Sequence, residues 1–332
     1  MPGHGILQVV RGAQAGVPKY TRELVASVRE SRTRTEVEPA LSLDDFAGRD
    51  LAALWIGHAT VLLRMGGKTI LTDPVFSERI GMMLGGLTLG VKRLIPPAVD
   101  VGHLPKIDLV LLSHAHFDHL DRPSLKRLAA GPGRGAPVVT AMNTSRLIPS
   151  GFGDVGELAW DREIRIGDLT IRAMRPVHWG ARTAVDRHRR FNSYLLETPD
   201  RRVLFAGDTA LTDAFDRVGP VDLSMFGIGA YDPWEAQHAT PEQVWSMYSR
   251  MSGGAPAGRL LPMHHSTFAL GREPIDEPMR RLVVVSGERT DRLVAFRPGQ
   301  LWCSGAQPQA DTQKGREPLV SQGPASDRCE HL

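Results

Sequence analysis

The stretch "LLSHAHFDHLD", residues 111–121, constrains the fold and chemistry of this chain more than any other part of its sequence. It places three of the twelve histidines within six positions, directly after a run of leucine and valine. In an extended segment, side chains two positions apart point the same way, so His114 and His116 can share one metal ion. Asp118 and His119 lie at the turn before the next helix and reach a neighbouring position. The pattern predicts two adjacent metal sites on one loop, with an ion-free surface loop as the alternative.

Three later strands end in side chains of the same chemical type. His178 closes "IRAMRPVH", Asp208 closes "RVLFAGD", and His264 and His265 close "RLLPMHH". A single histidine after a strand is more often structural, but the recurrence predicts that these groups meet at one edge of a sheet. Imidazole and carboxylate together suit zinc best, although iron and manganese accept similar ligands.

Short apolar strands alternate with turn signals along residues 51–302, and the few helices lie between strands instead of in one block. Two face-to-face sheets with helices outside satisfy that order, so we predict an α+β fold, a four-layer αββα sandwich. Residues 51–76 are predicted as one strand, a turn at Gly66-Gly67 and a second strand. The glycine-rich apolar stretch 80–91 is predicted as a packed loop, with a lid or an acyl-chain contact as the alternative.

The segments outside 51–302 are predicted to differ from that domain. Residues 1–50 form an N-terminal extension, and residues 303–332 carry few large apolar groups and are expected to be disordered. The two cysteines, Cys303 and Cys329, both lie near the end of the chain, which favours a reducing compartment. No secretory signal and no apolar stretch of about 18 to 20 residues is apparent, so we expect a cytoplasmic protein.

The formal net charge is +3, and it is spread over many arginines without a long basic run. Such a distribution argues only weakly for anionic partners, and we expect no nucleic-acid partner. The oligomeric state stays open at this point.

The order "SHAHFDHLD", "HWG", "FAGDT" and a late histidine resembles the metallo-β-lactamase fold superfamily. Within it, "LWIGHATVLL", "ILTDPVFSER", "GAYDPWEAQHATPEQ" and "HHSTFAL" are similar to the branch that contains N-acyl-phosphatidylethanolamine phospholipase D and its bacterial relatives. The ascorbate-phosphate lactonase group is a more distant cousin. The resemblance covers roughly residues 52–275 and implies a binuclear metal-dependent hydrolase domain over residues 51–302.

The resemblance implies a centre of two zinc ions, with iron or manganese as alternatives. It assigns His114, His116 and His178 to the first ion, Asp118, His119 and His264 to the second, and the Asp208 carboxylate as the bridge. His264 is chosen over His265 because the family histidine lies two residues before the glycine or serine of an "H-x-G-T-F"-like ending. Here Ser266 departs from the commoner glycine and His265 from the usual aromatic residue.

The resemblance also implies the chemistry and three catalytic residues, Asp118, Asp208 and His238. A hydroxide bridging the two metals attacks phosphorus or a carbonyl carbon, since metal binding lowers the pKa of water from about 15.7 to near 7. Asp118 orients that nucleophile or passes a proton to the leaving group. His58 and His238 match family positions facing the pocket, where they contact substrate or protonate the leaving group; a structural role is the alternative for each.

Three further residues are candidates for supporting roles. Asp73 in "LTDP" is predicted to hold one imidazole from behind, with a plain turn aspartate as the alternative. Arg182 lies in the basic segment 181–192, which can clamp a phosphate because guanidinium matches phosphate geometry. A solvated basic loop is the alternative for that segment. His265 is placed beside the pocket, as a substrate contact or a support behind a ligand.

We therefore predict a phosphodiesterase acting on a small or lipid-derived anionic substrate, with a phospholipid-type phosphodiester and peripheral membrane contact as open expectations. A lactone or another cyclic ester is the alternative substrate, because the same nucleophile attacks carbonyl carbon. A di-iron redox protein or a metal-dependent binding protein is the alternative from another class. Hydrolysis is favoured because no flavin-binding domain is evident as a redox partner.

Overall fold

The structure is a computed structural model that describes residues 43–85, 87–183, 185–252 and 258–305. The strands in the first half are β1 (Leu51–Gly57), β2 (Thr60–Met65), β3 (Lys68–Thr72), β4 (Arg79–Leu84), β5 (Leu87–Lys92), β6 (Leu109–Leu112), β7 (Val138–Ala141) and β8 (Val155–Leu158). Those in the second half are β9 (Glu163–Ile166), β10 (Leu169–Met174), β11 (Ser193–Glu197), β12 (Arg202–Phe205), β13 (Leu223–Gly227), β14 (Arg259–Met263) and β15 (Leu301–Cys303). The α-helices are α1 (Leu43–Ala47), α2 (Arg122–Ala130), α3 (Pro241–Ser252) and α4 (Glu277–Ser286), and short 3-10 helices span Val101–His103, Ser145–Leu147 and Gly287–Arg292.

The strands form two large sheets that pack face to face. The seven-stranded sheet has the order β15-β1-β2-β3-β6-β7-β8, and the six-stranded sheet has the order β14-β13-β12-β11-β10-β9. In the first sheet β3, β6, β7 and β8 run parallel, and in the second β12, β13 and β14 run parallel. Because parallel strands end at the same edge, each sheet has one edge at which several loops emerge together.

Strand β6 contributes apolar side chains to the cores on both of its faces, which packs the layers together. Leu109 and Leu111 belong to the core between the sheets, whereas Val110 and Leu112 belong to a second core beneath α2. All four are fully buried, as the unbroken apolar run indicates for a strand covered on both faces. Helices α3 and α4 cover the outer face of the other sheet through a third core. The predicted α+β sandwich with helices outside is confirmed.

Helix α3 begins with a reciprocal pair of side-chain caps. The Thr240 backbone N–H donates to Gln243 Oε1 over 3.0 Å, and the Gln243 N–H donates to Thr240 Oγ1 over 3.3 Å. Together with Pro241 at the first helical position, these bonds satisfy N–H groups that the helix itself leaves free. These contacts fix the start of α3 and therefore the end of the preceding loop, which carries His238.

The prediction of one strand before Gly66-Gly67 is wrong. The chain reverses already at His58-Ala59, so that β1 and β2 pair as antiparallel neighbours. His58 occupies the left-handed region, with a φ of 54°. The second turn, at Gly66-Gly67, connects β2 to β3 as predicted.

The prediction of a packed loop for residues 80–91 is also wrong. This stretch lies in the hairpin of β4 and β5, which pair with each other as a separate two-stranded sheet. Gly81 and Gly90 lie opposite each other across the hairpin, and the carbonyl oxygens of Leu89 and Ile80 approach them so closely that a Cβ at either glycine would lie 2.0 Å from an oxygen. The glycines are therefore required by the close approach of the two backbones.

Parts of the predicted terminal segments lie outside the described residues. This holds for residues 1–42 of the extension and 306–332 of the tail, including Cys329. Helix α1 falls within the predicted extension, and its Phe46 is buried in the core beneath α2. None of the helices in the described ranges combines the length and apolar composition needed to cross a bilayer.

Candidate metal centre

The predicted ligands follow strands that end at facing edges of the two sheets. His114 comes directly after β6 and its neighbour Ser113, and Asp208 follows β12. His264 follows β14, which runs parallel to β13 and hence to β12. Because the carboxyl ends of parallel strands share one edge, the fold brings side chains that are far apart in sequence to one place.

The ligand atoms predicted for the second ion, those of Asp118, His119 and His264, lie together with those of His58, all within 4.8 Å of one another, and are called the second group. Asp118 Oδ2 lies 3.4 Å from His264 Nε2 and 3.5 Å from His119 Nε2. A tetrahedral zinc ion with ligands at about 2.0–2.1 Å separates neighbouring ligand atoms by about 3.3–3.4 Å. The spacing of these three atoms therefore suits a single ion.

The first group consists of the ligand atoms of His114, His116, His178 and Asp208, which also lie within 4.8 Å of one another. His116 Nδ1 lies 3.4 Å from His178 Nε2, and Asp208 Oδ2 lies 3.6 Å from that same nitrogen. Burial holds the pKa of His114 and of His178 well below its ordinary value. Both rings are therefore neutral and can offer a lone pair to a metal.

The Asp208 carboxylate belongs to the first group, and its Oδ2 also lies close to the histidines of the second. Its Oδ2 lies 3.7 Å from His114 Nε2 on one side, and 3.0 and 3.3 Å from the Nε2 atoms of His119 and His264 on the other. Both of its oxygens are buried, and within the described ranges neither oxygen and neither of these two Nε2 atoms meets the geometry of a hydrogen bond, although Oδ2 lies within ion-pair distance of both nitrogens. Buried polar atoms without partners are costly, and a pair of cations would satisfy them. The donor set thus fits a binuclear metal centre.

The carboxylates of the centre and the imidazoles of His119 and His264 stabilise each other's charged forms. Burial opposes the charged forms of Asp118 and Asp208, but nearby His119 outweighs it and holds the pKa of both carboxyls well below the ordinary value. Burial likewise opposes the imidazolium form of His264, but Asp208 and Asp118 raise its pKa to about 9. The pKa of His119 is raised well above its ordinary value for the same reason. A metal would replace these protons.

Asp73 lies behind His119. Its Oδ2 accepts from His119 Nδ1 over 2.6 Å and from Ser113 Oγ over 2.5 Å, while its Oδ1 accepts from the Ser113 backbone N–H over 2.7 Å. A carboxylate on the far nitrogen fixes the tautomer of a ligating imidazole and leaves Nε2 free for the metal. Ser113 was not among the predicted site residues, although it lies directly between β6 and the ligand His114.

His238 and His265 have different surroundings. His238 forms a third group with Asp208 and His264, and its side chain is 12% exposed at the solvent side of the centre. Burial lowers the pKa of His238 to about 4, so its ring is neutral at neutral pH. His265 lies in none of the groups; its ring packs on Trp55 with centroids 4.7 Å apart, and its Nδ1 pairs with Ser266 Oγ at 2.8 Å.

Arg182 contacts the loop that carries the first ligands. Its Nη1 donates to the carbonyl oxygens of Ala115 and Leu120 over 2.8 and 2.7 Å. The guanidinium also lies 3.9 Å from the ring centroid of Phe117, and burial lowers its pKa to about 10. The structure therefore gives Arg182 a role in bracing the metal loop; the predicted phosphate contact stays a prediction.

Replacing Arg182 with methionine is expected to lower the free energy of unfolding by about 2 kcal/mol, because hydrogen bonds from a charged donor are worth about 1.5–3 kcal/mol. The metal affinity should fall as well, since the loop loses its brace. Urea unfolding and metal titration measure the two effects. Arg187→Met, at an exposed position of the same basic segment, is the matched control. Equal effects of the two substitutions would contradict the bracing role.

A tryptophan that the sequence analysis missed forms one wall of the centre. The Trp179 ring packs on the rings of His116 and His178 with centroids 4.7 and 4.6 Å apart, and 36% of the residue is exposed. The ring centroid of Trp234 lies 6.5 Å from that of Trp179. An apolar surface therefore adjoins the ligands of the first group on their solvent side.

Comparisons with known proteins agree with this geometry. Residues 68–265 match the family described as the β-lactamase superfamily domain. An uncharacterised protein of Mycobacterium tuberculosis is 31% identical over 84% of this chain and 76% of its own length. The N-acyl-phosphatidylethanolamine-hydrolyzing phospholipase D 1 of Caenorhabditis elegans is 29% identical over 79% of this chain and 78% of its own. An isothiocyanate hydrolase from Delia radicum gut bacteria shares the fold, with a TM-score of 0.59 at 19% identity over 76% of this chain and 98% of its own.

Proposed function

This chain belongs to the metallo-β-lactamase superfamily of metal-dependent hydrolases, and we propose that it hydrolyses a phosphodiester of amphiphilic, phospholipid-like type. The observation that carries the proposal is the position of the Asp208 carboxylate, whose Oδ2 lies within 3.7 Å of ring nitrogens in both ligand groups. Two-metal centres suit phosphodiesters because they stabilise both the attacking and the leaving oxygen. We propose zinc as the metal, because nitrogen and carboxylate ligands at tetrahedral spacing suit it best.

When bound, two divalent ions lower the pKa of water and neutralise the charge that develops on the phosphoryl oxygens. Asp208 holds the two sites together. Asp118 is the carboxylate of the centre that reaches solvent, with 14% of its side chain exposed. We assign it the movement of a proton between water and the leaving group. We assign His238, which is 12% exposed at the solvent side, to contact with the leaving oxygen.

Two features support an amphiphilic substrate. The C. elegans relative carries the name of an enzyme that hydrolyses N-acyl-phosphatidylethanolamine. In this chain, Trp179 offers an exposed apolar face beside the first group of ligands. A substrate with an apolar chain next to its phosphodiester would cover that face while its phosphate lies at the metals.

Metal-loaded protein should be tested in parallel against bis(p-nitrophenyl) phosphate, phospholipids including an N-acylated phosphatidylethanolamine, and lactones. We expect turnover of the phosphodiesters, with the phospholipid preferred. Turnover confined to lactones would overturn the phosphodiester proposal. Stoichiometric iron with visible absorption and no turnover would instead favour the di-iron redox alternative, and bound zinc without turnover of any substrate would favour a binding protein.

We extend the proposal to contact with a membrane surface through the β4–β5 hairpin. Met82 and Met83 near its tip are 61% and 59% exposed. At its root Val91 packs with Phe268, and Phe117 of the metal loop packs against that same cluster. The hairpin therefore rises beside the metal loop, and its tip would reach an apolar phase from which an amphiphilic substrate enters.

Exchanging both Met82 and Met83 for serine is expected to weaken binding to anionic phospholipid vesicles about tenfold or more, since burying a methionine side chain contributes about 1.5–3 kcal/mol. Vesicle cosedimentation measures the loss, and turnover of soluble bis(p-nitrophenyl) phosphate should be unchanged. Val284→Ser, at an apolar side chain on α4 that is 74% exposed, is the control. Vesicle binding that survives the double substitution would rule out the hairpin as the contact.

A further inference from the structure

His58 lies next to the ligands Asp118 and His264 of the second group. Its side chain is fully buried, its Nε2 is 3.1 Å from Asp118 Oδ2, and its ring centroid is 3.9 Å from that of His264. We propose that His58 is a positioning residue of the second metal site, which donates from Nε2 to Asp118 and fixes the orientation of that carboxylate. The inference rests on the binuclear centre proposed above and adds an eighth side chain to it.

The backbone supports a role for the imidazole itself. His58 has a φ of 54°, a conformation that costs a residue other than glycine about 1–3 kcal/mol. Its N–H donates to Thr267 Oγ1 over 2.8 Å, and its carbonyl oxygen accepts from the N–H of His264 over 3.0 Å and from Trp55 Nε1 over 2.8 Å. Glycine would adopt this turn without strain. Hydrogen bonds to its N–H and its carbonyl oxygen hold His58 in this conformation. A histidine at this costly position indicates that its ring, which contacts Asp118, has a role of its own.

The geometry separates positioning from the two other roles. A direct contact with substrate requires exposure, and none of the His58 surface is exposed. A role as metal ligand is not required, because Asp118, His119, His264 and Asp208 already supply the four ligands of a tetrahedral ion. The 3.1 Å contact from His58 Nε2 meets the criteria of a hydrogen bond, and an ionised carboxylate can only accept. His58 therefore donates to the ligand instead of replacing it.

The matched pair His58→Gln and His58→Asn tests this role. The two amides differ by one methylene: glutamine can still bring an N–H to Asp118, whereas asparagine stops short of it. Asparagine tolerates the left-handed region better than most residues, so His58→Asn should fold. We expect His58→Asn to bind one of two zinc ions about 10–100-fold more weakly, the usual effect of losing a partner behind a ligand. The zinc affinity of His58→Gln should stay close to that of the wild-type protein.

Zinc affinity is measured by competition with a chromophoric chelator, and X-ray absorption counts the nitrogen ligands. His103→Gln is the control, because His103 is an exposed histidine that lies outside the ligand groups. If the wild-type protein binds two ions and His58→Asn binds them with the same affinity, His58 has no positioning role, although the binuclear centre itself is supported. One nitrogen ligand fewer in both variants would make His58 a ligand and also overturn it. An unchanged protein that takes up no pair of ions would refute the proposed function itself.

Discussion

Asp208→Asn is expected to reduce hydrolysis about 10³-fold or more while the protein stays folded. Asp208 Oδ2 lies between 3.0 and 3.7 Å from one ring nitrogen of each of four histidines, two from each ligand group. Asparagine keeps the shape of the side chain but removes the charge shared by two cations. Losing about 4 kcal/mol of that stabilisation corresponds to about three powers of ten in rate. The kcat/KM on the best phosphodiester and the bound metal per chain measure the effect.

Asp216→Asn is the matched control for this substitution. Asp216 pairs with Arg250 at 2.9 Å on the surface, where ion pairs contribute about 0–1 kcal/mol. It should change neither rate nor metal content. Thermal unfolding of both variants checks that they remain folded. An Asp208→Asn protein that retains two ions and full turnover would show that the shared carboxylate has no part in the chemistry.

Much of the fold and the meeting of the ligands could be predicted because the informative signals are local. An unbroken apolar run indicates a strand buried on both faces, and a polar ligand at its end marks the edge of a sheet. His114, Asp208 and His264 each follow this rule on a different strand. Parallel strands end at one edge, which accounts for the meeting of Asp208 and His264. His114 follows a strand of the other sheet, so the prediction of a single sheet edge was wrong, and its contact with them depends on how the two sheets pack.

Apart from the contact between Asp73 and His119, the contacts that support the centre could not be predicted, because they join residues far apart in sequence without a local signal. Arg182 and Ala115 are 67 positions apart, and His58 and Asp118 are 60 apart. Residue type indicated that Arg182 could bind an anion, but only the fold shows that the carbonyl groups of the metal loop already accept from it. The turn at His58 was missed because it lacks the usual Asn-Gly or Asp-Gly pair.

The β4–β5 hairpin was mistaken for a loop for a related reason. Glycine is depleted in strands, so a glycine-rich stretch favours irregular structure. Gly81 and Gly90 are nevertheless paired across the hairpin, where each leaves room for the opposite backbone. Glycine is required at each position because of the backbone that lies opposite it. The sequence of one strand alone therefore does not reveal the requirement.

Removing the metals with a chelator is expected to lower the Tm by about 10 °C or more, and adding zinc back should restore it. Each site occupied at about 1,000 times its Kd stabilises the native state by about 4 kcal/mol, and about 1 kcal/mol shifts the Tm of a domain of this size by about 2–4 °C. Thermal unfolding with and without chelator measures the shift, and elemental analysis confirms the removal. An unchanged Tm after complete removal would mean that the buried histidines and carboxylates do not hold metal.

The metal-free form should also show a pH dependence that the loaded form lacks. In the absence of metal, Asp208 and Asp118 outweigh burial and raise the pKa of His264 from 6.5 to about 9. A pKa raised on folding stabilises the native state fully below the unfolded value, near pH 6.5, and that stabilisation is lost as the pH rises through about 9. The free energy of unfolding in urea should therefore fall between about pH 6.5 and 9.5 in chelator. In zinc it should not follow that fall, because the metals take the place of the protons. Equal stability of the metal-free protein at both ends of this range would contradict the protonated centre.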